Sequence, residues 1–248
     1  MEQIDNICSI TEKHKIKSIK ITGGEPLLHP NILEIIRKFS EIPSVIDIAI
    51  TTNGILLEEM ATDLKSAGLK RINIGCDSLK NDNLKSLDRI HNGLKAAKKT
   101  GFQSIKINMV LLKGVNEDEV EEMIDFAAEN GFILQIIELI NTESAYFEKF
   151  HVSLTKIEDK LLKISEKVVT RNLHHRKQYY LKSGAIVELV KPVHNAEFCQ
   201  NCHTLRITND FQFQPCLNKS NNFVQIGDDV EISLQKALER RIPFNETK

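Results

Sequence analysis

Residues 104–139, SIKINMVLLKGVNEDEVEEMIDFAAENGFILQIIEL, form the stretch that decides the fold. Two runs rich in Ile and Val, at residues 104–111 and 133–139, are typical of buried strands. Between them Asn116 is suited to cap a helix, with Glu119 at the capping-box position and apolar residues at helical spacing behind it. A strand, a helix and a second strand in this order predict a parallel βαβ unit.

The same alternation runs upstream of this unit. Further strand-like runs lie at residues 18–22, 45–51 and 71–75, and residues 31–41 carry a helical stripe of apolar side chains. This order predicts helices packed around a parallel sheet, as a barrel or as an open doubly wound sheet. A helix over residues 2–14 comes before the first of these strands, whereas a βα barrel normally begins with a strand.

Beyond residue 139 the alternation stops. Residues 153–166 are predicted to form a helix, and residues 171–190 to form a hairpin around Ser183 and Gly184. The basic start of the latter segment, residues 171–177, is more typical of a solvated face than of a binding site.

The composition of the chain argues against several classes of protein. The chain has 248 residues, with 33 basic and 34 acidic side chains, and this balance implies neither nucleic acid nor an anionic membrane as a partner. No apolar run is long enough to span a bilayer, and the charged first 20 residues do not resemble a signal peptide. We therefore expect a cytoplasmic protein whose thiols stay reduced.

Three of the five cysteines form the strongest motif. Cys199, Cys202 and Cys216 are spaced so that two thiolates could bind a metal from one turn and the third could return after a hairpin over residues 205–214. Three thiolates suit a 4Fe–4S cluster with one iron left open. They also suit structural zinc, with His203 or His194 as the fourth ligand. Spacing alone leaves both metals open.

Polar residues cluster where the predicted strands end. Gly23, Gly24 and Glu25 follow the first strand, Thr51 ends the second, and Gly75 ends the third. The carboxyl ends of parallel strands are where α/β folds bind ligands. The alternatives are a tight turn at the glycines and helix capping by the neighbouring Asn53, Asp77 and Ser78.

Two cations also suggest an anion site. Lys106 and Asn108 alternate with apolar residues in the fourth strand, so both would share one face. A cation buried there needs an anion, and either a phosphate or Glu138 would serve; an edge strand with a wet face is the alternative. Arg206, just past Cys202, could hold an anion near the metal centre.

Several stretches together resemble one family. They are TGGEPLLHP (22–30), ITTNG (50–54), RINIGCDSL (71–79), KINMVLLKGVNEDE (106–119), HNAEFCQNC (194–202) and LRITND (205–210). The chain resembles the GTP 3′,8-cyclases of molybdenum cofactor biosynthesis, which are radical S-adenosylmethionine enzymes, and is most similar to the archaeal form. The resemblance implies an α/β fold, an incomplete (β/α)6 barrel lacking its first strand over residues 1–140, with an iron–sulfur-binding extension over residues 141–248.

The resemblance also implies the site residues. Gly23, Gly24, Glu25 and Gly75 would bind S-adenosylmethionine, and Lys20, Thr51, Lys106 and Arg206 would bind GTP. Cys199, Cys202 and Cys216 would hold a 4Fe–4S cluster whose open iron meets the guanine. The family further implies a homodimer; the sequence does not identify the electron donor.

The chain departs from the family pattern, and these departures leave more than one function open. The Cys-x3-Cys-x2-Cys ligands of the family's N-terminal 4Fe–4S cluster are absent, because Cys8 is the only cysteine before Cys76. Gly75 stands where the family has a serine, and Lys20 where many members have an arginine. We expect an N-terminally truncated cyclase; the alternatives are a catalytically inactive paralogue that binds GTP or another ligand, and a zinc-stabilised scaffold.

Overall fold

The computed structural model describes residues 2–81, 83–140, 144–219 and 221–245. Its main element is one sheet of eight strands. These are β1 Ser18–Ile21, β2 Asp47–Thr52, β3 Arg71–Gly75, β4 Ser104–Leu111, β5 Ile133–Glu138, β6 Ser165–Thr170, β7 Lys177–Leu181 and β8 Ile186–Val190. Their spatial order is β1-β2-β3-β4-β5-β8-β7-β6, so β1 and β6 are the two edges within the described residues.

Most of this sheet is parallel. The first five strands, each predicted from the sequence, pair in parallel with the next strand in chain order. β8 adds to β5 in parallel, and β7 and β6 follow antiparallel. The predicted α/β class and the hairpin at Ser183 and Gly184, which joins β7 to β8, are confirmed. The incomplete barrel and its division after residue 140 stay predictions.

Helices cover the sheet because their apolar stripes need a surface to pack on. They are α1 Glu2–Lys13, α2 Ile32–Ser40, α3 Leu57–Ser66, α4 Leu87–Thr100, α5 Val120–Asn130, α6 Ala145–Phe150, α7 Thr155–Ile164, α8 Ala196–Gln200 and α9 Val230–Glu239. On α2 the stripe of Ile32, Ile36 and Phe39 is buried, as its spacing predicted. A Cβ at Gly93 would lie 2.3 Å from the Gly54 carbonyl oxygen, so glycine is required where α4 crosses the chain leading into α3.

The predicted capping box is wrong. Asn116 makes no side-chain capping bond, and α5 begins at Val120 after a short 3₁₀ turn. The Asn116 side chain instead accepts from Leu112 N at 2.8 Å and donates to the carbonyl oxygens of Asp77 and Val110. Tertiary hydrogen bonds between two loops thus replace the local cap that the pattern indicated.

The helix predicted over residues 153–166 ends early. α7 stops at Ile164, and the chain continues directly as β6, whose side chains are mostly exposed. An edge strand with little buried surface lacks the hydrophobic alternation that would have indicated it.

The C-terminal part contains a small antiparallel sheet. Its strands are β9 Arg206–Ile207, β10 Gln212–Gln214 and β11 Val224–Gln225, which confirms the predicted hairpin over residues 205–214. Phe213, Val224 and Leu234 form part of its separate apolar cluster, which includes α9. Among the described residues, no helix has the length and apolar character that crossing a bilayer requires.

Candidate functional site

A row of polar side chains crosses the apolar sheet. Thr51 on β2 is in register with Asn73 on β3, and Asn73 with Lys106 on β4. Two residues further along, Asn108 is in register with Gln135 on β5, and Gln135 with Glu188 on β8. Neighbours in register share a face of the sheet, so these groups form a continuous polar belt.

The belt contains acceptors that lack partners. Thr51 Oγ1, Asn73 Oδ1 and Asn108 Oδ1 are buried and have no hydrogen-bond partner among the described residues. Buried polar groups are normally satisfied, and exceptions occur where a ligand supplies the missing partner. These three strand positions therefore belong to a candidate binding site.

Glu188 is the centre of the belt. It has no exposed surface, and its carboxylate accepts from Lys106 Nζ at 2.6 Å, Gln135 Nε2 at 2.6 Å and Gln178 Nε2 at 2.8 Å. Arg171 Nη1 lies at 2.9 Å and Arg176 Nη1 at 3.1 Å from the same carboxylate. The prediction that Lys106 is buried and needs an anion is confirmed, and the anion is Glu188.

Glu138, the acidic partner suggested for Lys106, is engaged elsewhere. Its Oε1 lies 3.2 Å from His151 Nε2, and its Oε2 is buried without a partner in the described part of the chain. The suggestion failed because Glu188 lies 82 residues after Lys106, a separation at which sequence patterns give no pairing information.

Burial and neighbouring charges shift the pKa values of Glu188 and Lys106. Burial alone would raise the pKa of Glu188, but Lys106, Arg176 and Arg171 together lower it to about 2. Burial, opposed by Glu188, lowers the pKa of Lys106 to about 8. At neutral pH the carboxylate is ionised and surrounded by cations.

The basic segment 171–177, expected to be a solvated face, turns inward in part. Arg171 and Arg176 stand at the two ends of a turn that Arg171 N closes by donating to the Arg176 carbonyl oxygen at 2.8 Å. The turn brings both guanidinium groups to Glu188, where Arg176 is only 13% exposed. Lys177 does point away, to Glu158. The expectation fails for the two arginines because a buried carboxylate attracts them.

Lys20 and Arg206 add further positive charge. Burial, followed by the charges of Arg176, Arg71 and Arg206, lowers the pKa of Lys20 to about 8. The Lys20 residue nonetheless keeps solvent-exposed surface, so a ligand can reach it. Arg71 is neutralised by Asp47, with two contacts of 2.5 and 2.6 Å. Lys20 and Arg206 have no ion-pair partner in the described ranges.

Glu25 joins the glycine turn after β1 to the end of β2. Its Oε1 accepts from Thr52 Oγ1 at 2.7 Å, and its Oε2 accepts from Asn53 N at 2.6 Å. A Cβ at Gly23 or Gly24 would meet no other atom within 4 Å, so the backbone there borders open space. The carboxylate holds the turn in place and leaves its backbone free to meet a ligand.

Gly75 ends β3 near a cleft. A Cβ at Gly75 would lie 3.2 Å from Lys85 Cδ, so the Lys85 side chain covers this position. The cleft has a volume of about 450 Å³, and its lining includes Asp77, Lys85, Arg89, Val110 and Tyr146. It thus lies at the carboxyl ends of β3 and β4, as expected for a ligand site in an α/β fold.

A latch joins the loop after β3 to the start of α5. We use the term latch for Ser78 and Glu119: Ser78 Oγ donates to the Glu119 carboxylate at 2.7 Å, and Leu79 N donates to it at 2.6 Å. Asp77 accepts from Val110 N at 2.8 Å. Ser78 Oγ also accepts from Lys80 N at 3.1 Å and from Asn81 N at 2.8 Å, as a helix cap would. The next helix in the described residues begins only at Leu87, so these bonds form a turn, and neither Asp77 nor Ser78 caps a described helix.

The three late cysteines lie around α8 and the small sheet. All are free thiols of intermediate exposure. Cys202 and Cys216 both act on Arg206: burial lowers the pKa of this guanidinium, and the negative charge of the two cysteines as thiolates opposes that shift. Cys199 Sγ accepts from Asn245 Nδ2 at 3.4 Å. Cys202 and Cys216 are thus near one cation, whereas Cys199 contacts the C-terminal segment.

The fit of a metal group to these thiols can be tested. Within the described ranges, no three His, Cys, Asp or Glu side chains are grouped to hold a single metal ion. Tetrahedral zinc, with Zn–S bonds of about 2.3 Å, requires such a group of ligands. A cluster binds each thiolate to a different iron, and three unpaired thiols are a chemically suitable donor set for it. The residues fit the cluster by their chemistry.

The sequence indicated only part of this site. The predicted residues Lys20, Lys106 and Arg206 share one charged region, and Thr51 lies in the polar belt. Sequence reasoning did not find Glu188, the arginines at 171 and 176, or the two glutamines. One signal was available: Glu188 interrupts the apolar run of residues 186–190, and Gln178 directly precedes the apolar residues 179–181.

Comparisons with known proteins agree with this architecture. The Radical SAM superfamily model matches residues 1–127, and the Molybdenum Cofactor Synthesis C model matches residues 132–243. A "Probable GTP 3′,8-cyclase" of Methanocella arvoryzae is 40% identical over 255 residues, covering 98% of this chain and 81% of that protein. A protein of the same name from Pyrococcus horikoshii is 40% identical over 263 residues, covering 97% and 84%.

A solved structure shares the fold. Streptococcus suis SuiB superposes with a TM-score of 0.67 at 15% identity, covering 94% of this chain and 58% of that one. At this identity the match supports the fold alone. The curated relatives extend the match to a family over most of their length. The chain belongs to the GTP 3′,8-cyclase family of the radical SAM superfamily.

Proposed function

We propose that this chain binds GTP and acts in molybdenum cofactor biosynthesis, at the cyclisation of GTP to 3′,8-cyclo-7,8-dihydro-GTP. One observation carries the proposal: several cations lie around a single buried carboxylate, and one further cation, Arg206, lies near two of the late cysteines. Lys20, Lys106, Arg171, Arg176 and Arg206 outnumber Glu188, so the site has an excess of positive charge. A polyanion such as a triphosphate would balance that excess.

Different residues are proposed to bind GTP and S-adenosylmethionine. Lys20, Thr51, Lys106 and Arg206 are proposed to bind GTP. Gly23, Gly24, Glu25 and Gly75 are proposed to bind S-adenosylmethionine, supported by the open backbone of the glycine turn and by the cleft near Gly75.

Cys199, Cys202 and Cys216 are proposed to hold a 4Fe–4S cluster. When bound, such a cluster with three protein thiolates supplies an open iron that can bind a ligand atom. Because Arg206 lies near Cys202 and Cys216, a nucleotide bound at that guanidinium would lie beside the cluster. The chain's own contribution is to position the nucleotide and to shield it from water.

The family's other cluster does not fit the residues present. It needs Cys-x3-Cys-x2-Cys, and Cys8 is the only cysteine before Cys76 in this sequence. Cys8 packs against the apolar core, and burial raises the pKa of the Cys76 thiol to about 12, so neither is a ready thiolate ligand. This observation favours a second candidate function, a GTP-binding protein that does not itself cleave S-adenosylmethionine.

Two assays on the anaerobically purified chain test the proposal. We expect GTP to bind in isothermal titration calorimetry, and we expect no 5′-deoxyadenosine when S-adenosylmethionine and dithionite are added. ATP serves as the control nucleotide. Absence of GTP binding would reject the proposed function. Formation of 5′-deoxyadenosine would reject the second candidate and would show that this chain assembles a radical-generating cluster.

A further inference from the structure

The turn before β7 has an unusual backbone. His174 and His175 both adopt left-handed conformations, with φ of 61° and 47°, although neither is glycine. Such residues are sterically disfavoured, and they persist where the surrounding structure fixes them, often at functional sites. Here His174 N donates to the Asn201 carbonyl oxygen at 2.8 Å, and its ring stacks on Phe198 at 4.0 Å. The turn is thereby held against the cysteine segment.

The turn delivers Arg176 into the site. One side of its guanidinium is fixed, because Nη1 lies 3.1 Å from Glu188 Oε1. The other side is not: Nε is buried and has no hydrogen-bond partner in the part of the chain that the structure describes. A guanidinium cannot release its charge to relieve this, so the Nε–H requires an acceptor.

The other charged groups around Arg176 do not supply that acceptor. Lys20 is within electrostatic range of both Arg176 and Arg206, and all three are donors without acceptor capacity. Neither Lys20 nor Arg206 has an acidic partner among the described residues. Glu188 is already occupied, because its two oxygens accept hydrogen bonds from four side chains and form an ion pair with Arg176 itself. The described residues leave no acceptor for this N–H, and the excess of positive charge around it suits an anion from outside the chain.

We propose that Arg176 is a phosphate-binding residue, whose Nε–H donates to an oxygen of the nucleotide triphosphate that Lys20 and Arg206 also contact. Lys106, which is also proposed to bind GTP, is held by Glu188 through its Nζ, and its side chain is 5% exposed. The inference rests on the proposed function for the identity of the ligand, but not for its chemistry, which is that of a polyphosphate.

The test compares two neighbouring cations. Arg176→Gln removes the charge that faces the site, whereas Lys177→Gln removes one that pairs with Glu158 on the other face at 3.0 Å. Calorimetric titration with inorganic tripolyphosphate and with GTP, on variants whose circular dichroism matches the wild type, gives the affinities. We expect Arg176→Gln to weaken both ligands by about tenfold or more, as one charged phosphate contact does, and Lys177→Gln to change neither by more than about twofold. Wild-type tripolyphosphate affinity in a folded Arg176→Gln variant would overturn the proposal.

Two further results distinguish a failure of the proposed function from a failure of this inference. If the wild type binds tripolyphosphate but not GTP, the phosphate site stands and the proposed function fails. If it binds GTP and Arg176→Gln binds GTP equally well, the function stands and the inference fails. Should Arg176→Gln not fold, Arg176→Lys keeps the charge but lacks the Nε–H, and full affinity in that variant would also overturn the proposal.

Discussion

Glu188 and Lys106 form a buried ion pair that is surrounded by more positive charge than it neutralises. Such a pair is not a reliable source of stability, because removing two charges from water costs as much as their attraction returns. Its value here is geometric. Four side chains donate hydrogen bonds to one carboxylate and Arg176 forms an ion pair with it, and this fixes where the remaining cations lie before any ligand binds.

The charge of Lys20, and with it the affinity of the site for an anion, is expected to depend on pH. Its pKa is lowered to about 8, chiefly by burial, so its charge is complete well below pH 8 and is lost as the pH rises through that value. We therefore expect the affinity for tripolyphosphate to fall between pH 7 and pH 9. In Lys20→Arg the fall should be shallower, because a guanidinium stays protonated.

Comparing the two proteins in the same buffers removes the contribution of the ligand's own ionisation. Calorimetric affinities at several pH values supply the measurement. Identical slopes for the wild type and Lys20→Arg would show that Lys20 does not contribute to the anion site.

At the scale of the element, the loops at the carboxyl ends of the strands are tied to one another rather than to their own helices. Glu25 joins the turn after β1 to β2, and the latch of Ser78 and Glu119 joins the loop after β3 to α5. These bonds order the loops that border the cleft near Gly75. A carboxylate that accepts from a neighbouring loop can maintain that order without a ligand.

Removing the latch should loosen one loop only. In Glu119→Ala we expect faster amide hydrogen exchange over residues 77–81, with the amides of β4 and β5 unchanged, since Leu79 N would lose its acceptor. Stability should fall by about 1–3 kcal/mol, the usual cost of an unpaired buried donor. Glu121→Ala, which breaks an exposed pair with Lys160, is the control and should change neither property. Unchanged exchange at residues 77–81 in Glu119→Ala would contradict the assigned role.

Individual elements show why prediction succeeded and where it stopped. The five strands from β1 to β5 were predictable because each is a compact apolar run, and α2 because its buried stripe has helical spacing. Asn116 and Glu119 matched a local capping pattern, yet their side chains bond across 39 and 40 residues. Lys106 could be recognised as a buried cation. Its partner lies on β8, however, and patterns in local sequence do not predict contacts between residues so far apart in the chain.

At the scale of the whole molecule, the two matched segments contribute to one site. Lys20, Thr51 and Lys106 come from the segment matched by the radical SAM model, whereas Glu188, Arg176 and Arg206 come from the segment matched by the cofactor-synthesis model. β8 carries Glu188 into the sheet next to β5. The charged site is therefore complete only when residues of both segments are present. The homodimer that the family resemblance implies stays a prediction.

The three late cysteines and the cationic region are proposed to hold one nucleotide between them. Anaerobic reconstitution with iron and sulfide, followed by electron paramagnetic resonance of the reduced protein with and without GTP, tests this claim most directly. We predict a single 4Fe–4S cluster whose spectrum changes when GTP is added, and the loss of most iron in Cys199→Ala, Cys202→Ala and Cys216→Ala. Stoichiometric zinc without iron uptake, or a cluster spectrum that GTP leaves unchanged, would contradict the claim.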